Sequence, residues 1–247
     1  MRERDLAERA LADRAVAGVP VQFWWRDDDA VSPEPALDRL LAMANAFDAA
    51  LTLAVIPAPW NSRASGPELA DRLADEPLVR VAVHGWSHRN HAPEGRKRQE
   101  FSPDRANEEM RDELRRGLTK LQELHGARAL PLLVPPWNRI APALLKHLAE
   151  DGFRAISTFG PETEVRGLRV VNTHLDVIDW RGGRVACDPE AMWREIRFRA
   201  ESGRAFSGLL THHLVHGEDT WSFIAELIGA TKANGAVWLP FDEISDA

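Results

Sequence analysis

Short apolar runs alternate along the chain with longer segments of helical spacing. Apolar runs bounded by turn residues are typical of buried strands, and apolar residues three and four apart are typical of amphipathic helices. The predicted strands are 19–25, 51–56, 78–83, 129–134, 154–158, 168–177, 206–212 and 237–240. The predicted helices are 35–49, 67–73, 103–124, 141–151, 192–200 and 221–233, with a further N-terminal helix within 1–18. Repeated strand-then-helix units predict a parallel sheet covered by helices.

The number of these units predicts how the sheet is organised. About seven strand-helix units in one domain favour an α/β barrel over an open sheet. The chain carries no internal repeat, low-complexity stretch or linker rich in Pro, Gly and Ser that would divide it. We therefore expect a single domain over residues 1–247.

Composition narrows the chemistry of a binding site. Cys187 is the single cysteine, which excludes an internal disulfide framework and a cysteine-rich zinc site. Any metal ion must then be bound by His, Asp and Glu. The net charge of −7 argues against a nucleic acid or an anionic membrane as partner. A small-molecule or carbohydrate substrate is the remaining expectation.

The apolar runs also bear on location. No run reaches the roughly 18 residues that a membrane span needs. Residues 1–18 carry charges throughout and lack the apolar stretch of a secretory signal. A cytoplasmic protein is expected.

Four polar clusters directly follow predicted strands, where parallel α/β folds place their active sites. They are Arg26-Asp27-Asp28-Asp29, His84-Gly85-Trp86-Ser87-His88, Asp176-Val177-Ile178-Asp179-Trp180 and Leu209-Leu210-Thr211-His212-His213, the last with His216 nearby.

Two of the clusters together indicate a metal site. Two histidines four residues apart lie on one face of a helical turn, and with one carboxylate they leave ligand positions open for water and substrate. His84 and His88 have this spacing, and the acidic cluster offers the carboxylate. Neighbours on a strand point to opposite faces, so only one of His212 and His213 is expected to face the site.

In this order the clusters resemble the motifs of the polysaccharide deacetylases, the NodB-like enzymes of carbohydrate esterase family four. The matching stretches are Trp25-Arg26-Asp27-Asp28-Asp29, His84 with His88, Val134-Pro135-Pro136-Trp137, Asp176 with Asp179-Trp180, and Leu210-Thr211-His212. The resemblance covers about residues 20–240 and implies a distorted (β/α) barrel of about seven strands with outer helices. It also implies hydrolysis of an N-acetyl or related non-peptide amide bond.

The resemblance further implies roles for individual residues. Asp28, His84 and His88 would bind one divalent metal ion, with zinc preferred and cobalt, nickel or manganese as alternatives. Asp27 would be the general base and His212 the general acid, with Asp179 or Asp176 tuning the charge around His212. The substrate site would be lined by Trp137, Trp180, Pro136 and Asp29.

The sequence departs from the family pattern at three positions, one of which is His213, where family members often carry Asp. Val134 stands where the third motif has arginine, and Arg139 or Arg26 could supply the guanidinium instead. Asp29 stands where the first motif has glycine, which leaves the register open. With a shift of one position, Asp28 is the base and Asp29 the ligand.

Three functions are compatible with these features. The first is deacetylation of an N-acetylated amino sugar or sugar conjugate. The second is hydrolysis of a non-sugar amide such as a ureide or acylated polyamine, which the altered third motif favours. The third is a barrel that binds glycan without turnover.

Overall fold

The computed structural model describes residues 2–61 and 65–244, in which the chain forms two compact units. Of the described residues, the first unit contains 2–27, 35–52 and 173–244, and the second contains 28–34, 53–61 and 65–172. The helices are α1 (Glu3–Val16), α2 (Pro35–Phe47), α3 (Pro67–Leu73), α4 (Asn107–His125), α5 (Pro142–Leu145), α6 (Pro189–Glu201) and α7 (Glu218–Ala233). The strands are β1 (Gln22–Ala30), β2 (Leu51–Val55), β3 (Val79–Val83), β4 (Ala129–Leu133), β5 (Ala155–Ile156), β6 (Arg169–Val170), β7 (Leu175–Asp176), β8 (Ile178–Asp179), β9 (Val185–Ala186), β10 (Phe206–Thr211) and β11 (Val237–Trp238).

The first unit is built on parallel pairing around β1. Strand β10 pairs with β1 from Gln22 opposite Phe206 to Asp27 opposite Thr211, and β7 pairs with β10 on its other side. Strand β11 also pairs with the start of β1. Aromatic rings fill the core here: Phe23 stacks on Trp238 at 5.0 Å between ring centroids. The pairing brings the ends of β1 and β10 side by side.

The second unit contains a parallel array in the order β6, β5, β4, β3, β2. The His84 amide donates to the Val55 carbonyl, and the Ile56 amide donates to the Ala30 carbonyl, so the ends of β3, β2 and β1 lie together. Helix α4 packs on β3 and β4 through one apolar face, since Met110, Leu114, Leu118 and Leu121 are buried at helical spacing.

The predicted alternation of strands and helices is confirmed, and α3 has the predicted bounds. The N-terminal helix spans Glu3–Val16; residue 1 lies outside the described residues. None of the helices in the described ranges has the length and apolar character needed to cross a membrane.

Two strand predictions were wrong. Strand β1 runs to Ala30, so the three acids lie within the strand instead of after it, because the ladder with β10 continues to Asp27. The single strand predicted over 168–177 is interrupted between β6 and β7. The side chain of the buried Asn172 bonds there to the amide of Thr158 at 2.7 Å and to the carbonyl of Gly160 at 3.1 Å, and these contacts with the 158–160 segment accompany the break.

A hairpin formed by β8 and β9 was not predicted. Ile178 lies opposite Ala186 and Asp179 opposite Val185 in an antiparallel pair. Residues of two strands this short carry no recognisable alternation, so the sequence gives little signal. The hairpin carries Trp180 at its turn side.

Candidate functional site

Three side chains of the second unit converge on one point. Asp29 Oδ1 lies 3.1 Å from His84 Nε2 and 3.2 Å from His88 Nε2. The three donor atoms all lie within 4.8 Å of one another. Two imidazole nitrogens and a carboxylate oxygen form a donor set that suits zinc and related divalent ions, with positions left for other ligands. We call this group the metal triad.

A backbone carbonyl fixes the orientation of the His84 imidazole. His84 follows β3, and its Nδ1 lies 2.9 Å from the Val134 carbonyl oxygen. With Nδ1–H donating to that carbonyl, the Nε2 lone pair of the neutral imidazole is available to a metal ion. The backbone of Val134 thus contributes to the site although its side chain replaces the arginine of the third motif.

The loop between the two histidines is fixed by a buried carboxylate. Glu100 accepts hydrogen bonds from the Ser87 amide at 2.7 Å, the Ser87 hydroxyl at 2.9 Å and the Trp86 amide at 3.2 Å. Gly85 has φ +65°, and a Cβ there would lie 2.0 Å from a Glu100 carboxylate oxygen and 2.6 Å from Pro136 Cγ. The close approach explains why glycine occupies the second position of the motif.

The two imidazoles of the metal triad differ in their electrostatics. Burial alone would lower the pKa of His84. The charges of Asp28 and Asp29, and the hydrogen bond that Asp29 accepts from His84, outweigh burial and raise this pKa overall. Burial, together with the charge of His84, lowers the pKa of His88 to about 4. The surroundings of His84 therefore favour positive charge, which a divalent cation could supply.

The acid of the metal triad differs from the predicted one. Asp29, with φ +73°, faces the imidazoles, whereas Asp28 was predicted as the ligand. The left-handed backbone at Asp29 departs from strand geometry, so simple alternation along β1 does not give its direction. The arrangement matches the shifted register that the sequence left open. Asp28 is buried beside the triad, and its charge acts on both histidines.

Asp27 is occupied by other partners in the first unit. Its Oδ1 bonds to His213 Nδ1, and its Oδ2 accepts from the Thr211 hydroxyl at 2.6 Å and from the His213 amide at 3.0 Å. Burial would raise the pKa of Asp27, but the charge of His213 and its hydrogen bond outweigh that effect and lower it. The side chains of Asp27 and His213 are both fully buried.

His212 lies between the two residues that bond to Asp27. Its ring is half-buried and meets the Trp180 ring edge-on, with 4.7 Å between centroids. Its backbone amide donates to His216 Nε2 at 3.1 Å. His213 is buried against Asp27, whereas His212 lies against Trp180. The predicted strand 206–212 ends at Thr211, so strand alternation does not set the directions of these two rings.

The two acids of the fourth motif hold the hairpin. Asp176 accepts from the Trp180 indole at 2.9 Å and from the Ile178 amide at 3.0 Å. Asp179 is exposed and accepts from the amides of Arg181 and Gly182, both at 2.9 Å. Asp176 therefore touches the aromatic neighbour of His212, and Asp179 shapes the turn.

The remaining predicted residues are distributed as follows. Trp137 lies against His88, with 4.3 Å between ring centroids, and Pro136 is buried next to the 84–88 loop. The guanidinium of Arg139 donates to the Arg98 carbonyl at 3.1 Å, and Arg26 is buried in the first unit. Sequence reasoning missed Glu100, which lies in a polar loop with no strand before it.

Comparisons with known proteins bear on the family and the fold of this chain. The family model for polysaccharide deacetylase matches residues 27–156. No curated protein matches the chain. A polysaccharide deacetylase from Bacillus cereus is 17% identical, with 92% of this chain and 94% of that chain covered and a TM-score of 0.58.

Two further solved structures are similar in fold. A family 4 acetyl xylan esterase from Clostridium thermocellum, in complex with cobalt, is 17% identical over 90% of this chain and 89% of that one, with a TM-score of 0.55. A family pseudoenzyme from Bacillus anthracis is 15% identical over 91% of this chain and 65% of that one, with a TM-score of 0.59. These structures confirm the predicted fold class, a distorted (β/α) barrel with outer helices.

Proposed function

Because the chain belongs to the polysaccharide deacetylase family, we propose that it is a metal-dependent hydrolase that removes the acetyl group from an N-acetylated amino sugar or sugar conjugate. The observation that carries the proposal is the convergence of Asp29, His84 and His88 on one point. The bond that is hydrolysed is the C–N bond of an acetamide, which is not a peptide bond, and its hydrolysis gives acetate and a free amine.

The metal triad fits a divalent ion by its donor chemistry. Two nitrogens and one oxygen converge, and the Val134 carbonyl orients the ring of His84 as is usual behind a metal-binding histidine. We propose zinc, with cobalt, nickel and manganese as alternatives. When bound, such an ion polarises the acyl group and lowers the pKa of water.

Asp28 is the proposed general base, in place of Asp27. Both oxygens of Asp27 are engaged by Thr211 and His213, so it has little capacity to take a proton from water. Asp28 is the neighbour of the proposed ligand Asp29 and acts electrostatically on both triad histidines. It would accept the proton of the attacking water as the new C–O bond forms.

His212 is the proposed general acid. An amine leaves poorly without a proton, so the C–N bond breaks as His212 protonates the nitrogen. Asp176 fixes Trp180 against the ring of His212. The aromatic faces of Trp180 beside His212, and of Trp137 beside His88, are each proposed to stack on a sugar ring, and Pro136 is proposed as a substrate contact next to Trp137.

Metal content and acetate release together test the proposal. The zinc-loaded protein is expected to hold about one ion and to release acetate from N-acetylglucosamine oligomers. Asp29→Ala should lose the ion, whereas Asp28→Asn should keep it and lose about 100-fold or more in turnover. If Asp28→Ala lost the ion and Asp29→Ala kept it, the register proposed here would be wrong.

A second candidate is glycan binding without turnover, because one structural neighbour is a pseudoenzyme. It predicts that the metal-loaded protein binds acetylated oligomers but releases no acetate, and that Asp28→Asn leaves affinity unchanged. Hydrolysis of a non-sugar amide, suggested by Val134, predicts acetate release from acylated amines but none from the sugars.

A further inference from the structure

The pair formed by Asp27 and His213 lies outside the metal triad and has no role in the proposed chemistry. Both side chains are fully buried in the first unit. A buried Asp–His pair loses the hydration of both polar groups, and such a pair is often no more stable than well-packed apolar side chains would be. Packing alone therefore gives little reason for this pair.

The contacts of Asp27 show what the pair does to the backbone. Asp27 bonds to Thr211 at the last residue of β10 and to both the amide and the ring of His213. The Thr211 hydroxyl also accepts from the Trp25 indole at 2.9 Å, which ties the contact to the core of β1. The residues before and after His212 are thus both clamped to one carboxylate.

The intervening residue is also restrained. The His212 amide donates to His216 Nε2, and its carbonyl accepts from the Val215 amide at 3.0 Å. Burial lowers the pKa of His216 to about 4, so its imidazole is neutral near pH 7 and can act as an acceptor. With the backbone held on both sides, the ring of His212 lies against Trp180.

We propose that Asp27 and His213 are positioning residues that hold the ring of His212 in place to protonate the leaving group. The inference rests on the proposed function, since it assigns the pair to the general acid of that reaction. The proposal predicts an effect that depends on the leaving group of the substrate. Loss of the pair should impair only those substrates whose leaving group needs a proton.

The experiment compares an amide with an activated ester. N-acetylglucosamine oligomers release an amine, which requires the acid, whereas 4-nitrophenyl acetate releases a nitrophenolate, which does not. His213→Leu in the zinc-loaded full chain should lower kcat for the oligomer by about tenfold or more, within the 10²–10⁴-fold attributed to general acids. It should change ester hydrolysis by less than about threefold and leave zinc content unchanged.

Conservative variants separate positioning from a folding defect. His213→Asn retains an N–H donor near the place of Nδ1, so it should restore most of the amide activity. Asp27→Asn with His213→Leu removes the buried charge and still offers an oxygen to the His213 position amide. This double variant should fold, as judged by its thermal midpoint, and should show the same selective loss.

A double-mutant cycle with His212 gives the decisive readout. If the pair acts through His212, then His213→Leu should have little further effect on the oligomer in a His212→Ala background. Multiplying effects, or an equal fall of amide and ester hydrolysis, would overturn the proposal.

The two proposals can fail separately. A wild-type protein that binds no zinc and hydrolyses neither compound would sink the proposed function. The positioning claim would still be checked by the His212 imidazole signals in NMR spectra, which should shift and broaden in His213→Leu but not in His213→Asn. Unchanged signals would overturn it.

Discussion

Two histidine-bearing turns, one in each compact unit, are held by the same device with different electrostatics. In the 84–88 loop, the buried Glu100 accepts two backbone amides and a hydroxyl. In the 211–213 turn, the buried Asp27 accepts one amide, one hydroxyl and an imidazole. In both, one carboxylate replaces water for several polar groups of a loop.

The difference lies in the charge of the donors. Glu100 has neutral donors, so burial prevails and raises its pKa. Asp27 has the His213 imidazole beside it, which overcomes burial and lowers its pKa. A loop can thus be fixed either by neutral donors or by a carboxylate paired with an imidazole, and the two arrangements should respond differently to mutation.

The largest expected effect is the loss of metal from the 84–88 loop. His84→Ala and His88→Ala each remove a proposed ligand, so zinc affinity should fall by more than the 10–100-fold typical of losing an outer partner. Calorimetric zinc titration measures it. His213→Leu, in the other turn, is the matched control and should bind zinc as the wild type does. Equal zinc loss in all three variants would break the comparison.

The next largest expected effect is a loss of folding stability in Gly85→Ala. The left-handed backbone costs about 1–3 kcal/mol for a side chain, and the new Cβ meets Glu100 at 2.0 Å. Gly95→Ala shares the positive φ, at +78°, but has no atom within 4 Å of its Cβ, so it isolates the strain from the contact. Thermal unfolding should show a larger loss for Gly85→Ala. Equal losses would mean that the approach of Glu100 is unimportant.

Glu100→Gln should weaken zinc binding by about tenfold while leaving turnover at saturating zinc close to that of the wild type. The amide keeps one acceptor oxygen, but its NH₂ group would face a donor of the loop. Glu109→Gln, at an exposed position paired with Arg105, is the control. If Glu100→Gln lowered turnover at saturating zinc and left affinity intact, Glu100 would act on chemistry instead of on the loop.

The smallest expected effect is a pH dependence of folded-state stability that arises from the raised pKa of Glu100. The pKa of Glu100 is raised above its usual 4.5, by burial first. As pH rises above 4.5, the unfolded chain releases this proton before the folded one does, so folded-state stability falls. Glu100→Gln lacks this loss, so its thermal midpoint relative to that of the metal-free wild type should improve as pH rises from 4.5 toward neutrality. A pH-independent difference would contradict the raised pKa.

The sequence predicted those features that depend on local pattern. Strand-helix alternation indicated the fold class, and the spacing of His84 and His88 indicated that their imidazoles would lie together, as they do beside Asp29. Alternation along the predicted strand 206–212 also predicted that only one of His212 and His213 would face the site. Only the fold class follows from the period of regular elements, because 84–88 is a loop with positive φ at Gly85 and His88, and β10 ends at Thr211.

Other features depend on contacts between distant residues. Asp27 and His213 pair although they lie 186 residues apart in the chain. The sequence around one of them contains nothing that predicts contact with the other. The ligand register also stayed open, because three successive aspartates are chemically identical and the backbone turn at Asp29 is not encoded by hydrophobic period. Whether the chain acts as a single domain remains a prediction.

Because Trp137 packs against His88, its intrinsic fluorescence should report whether a metal ion is bound. The indole lies 4.3 Å from the imidazole that would bind metal, so ligation changes the charge and polarisability next to a fluorophore. Zinc has a filled d shell, whereas cobalt has an open one that quenches nearby emission. Filling the same site with either ion should therefore give different fluorescence intensities, and Trp137→Phe should remove most of that difference, so that occupancy could be followed without any label.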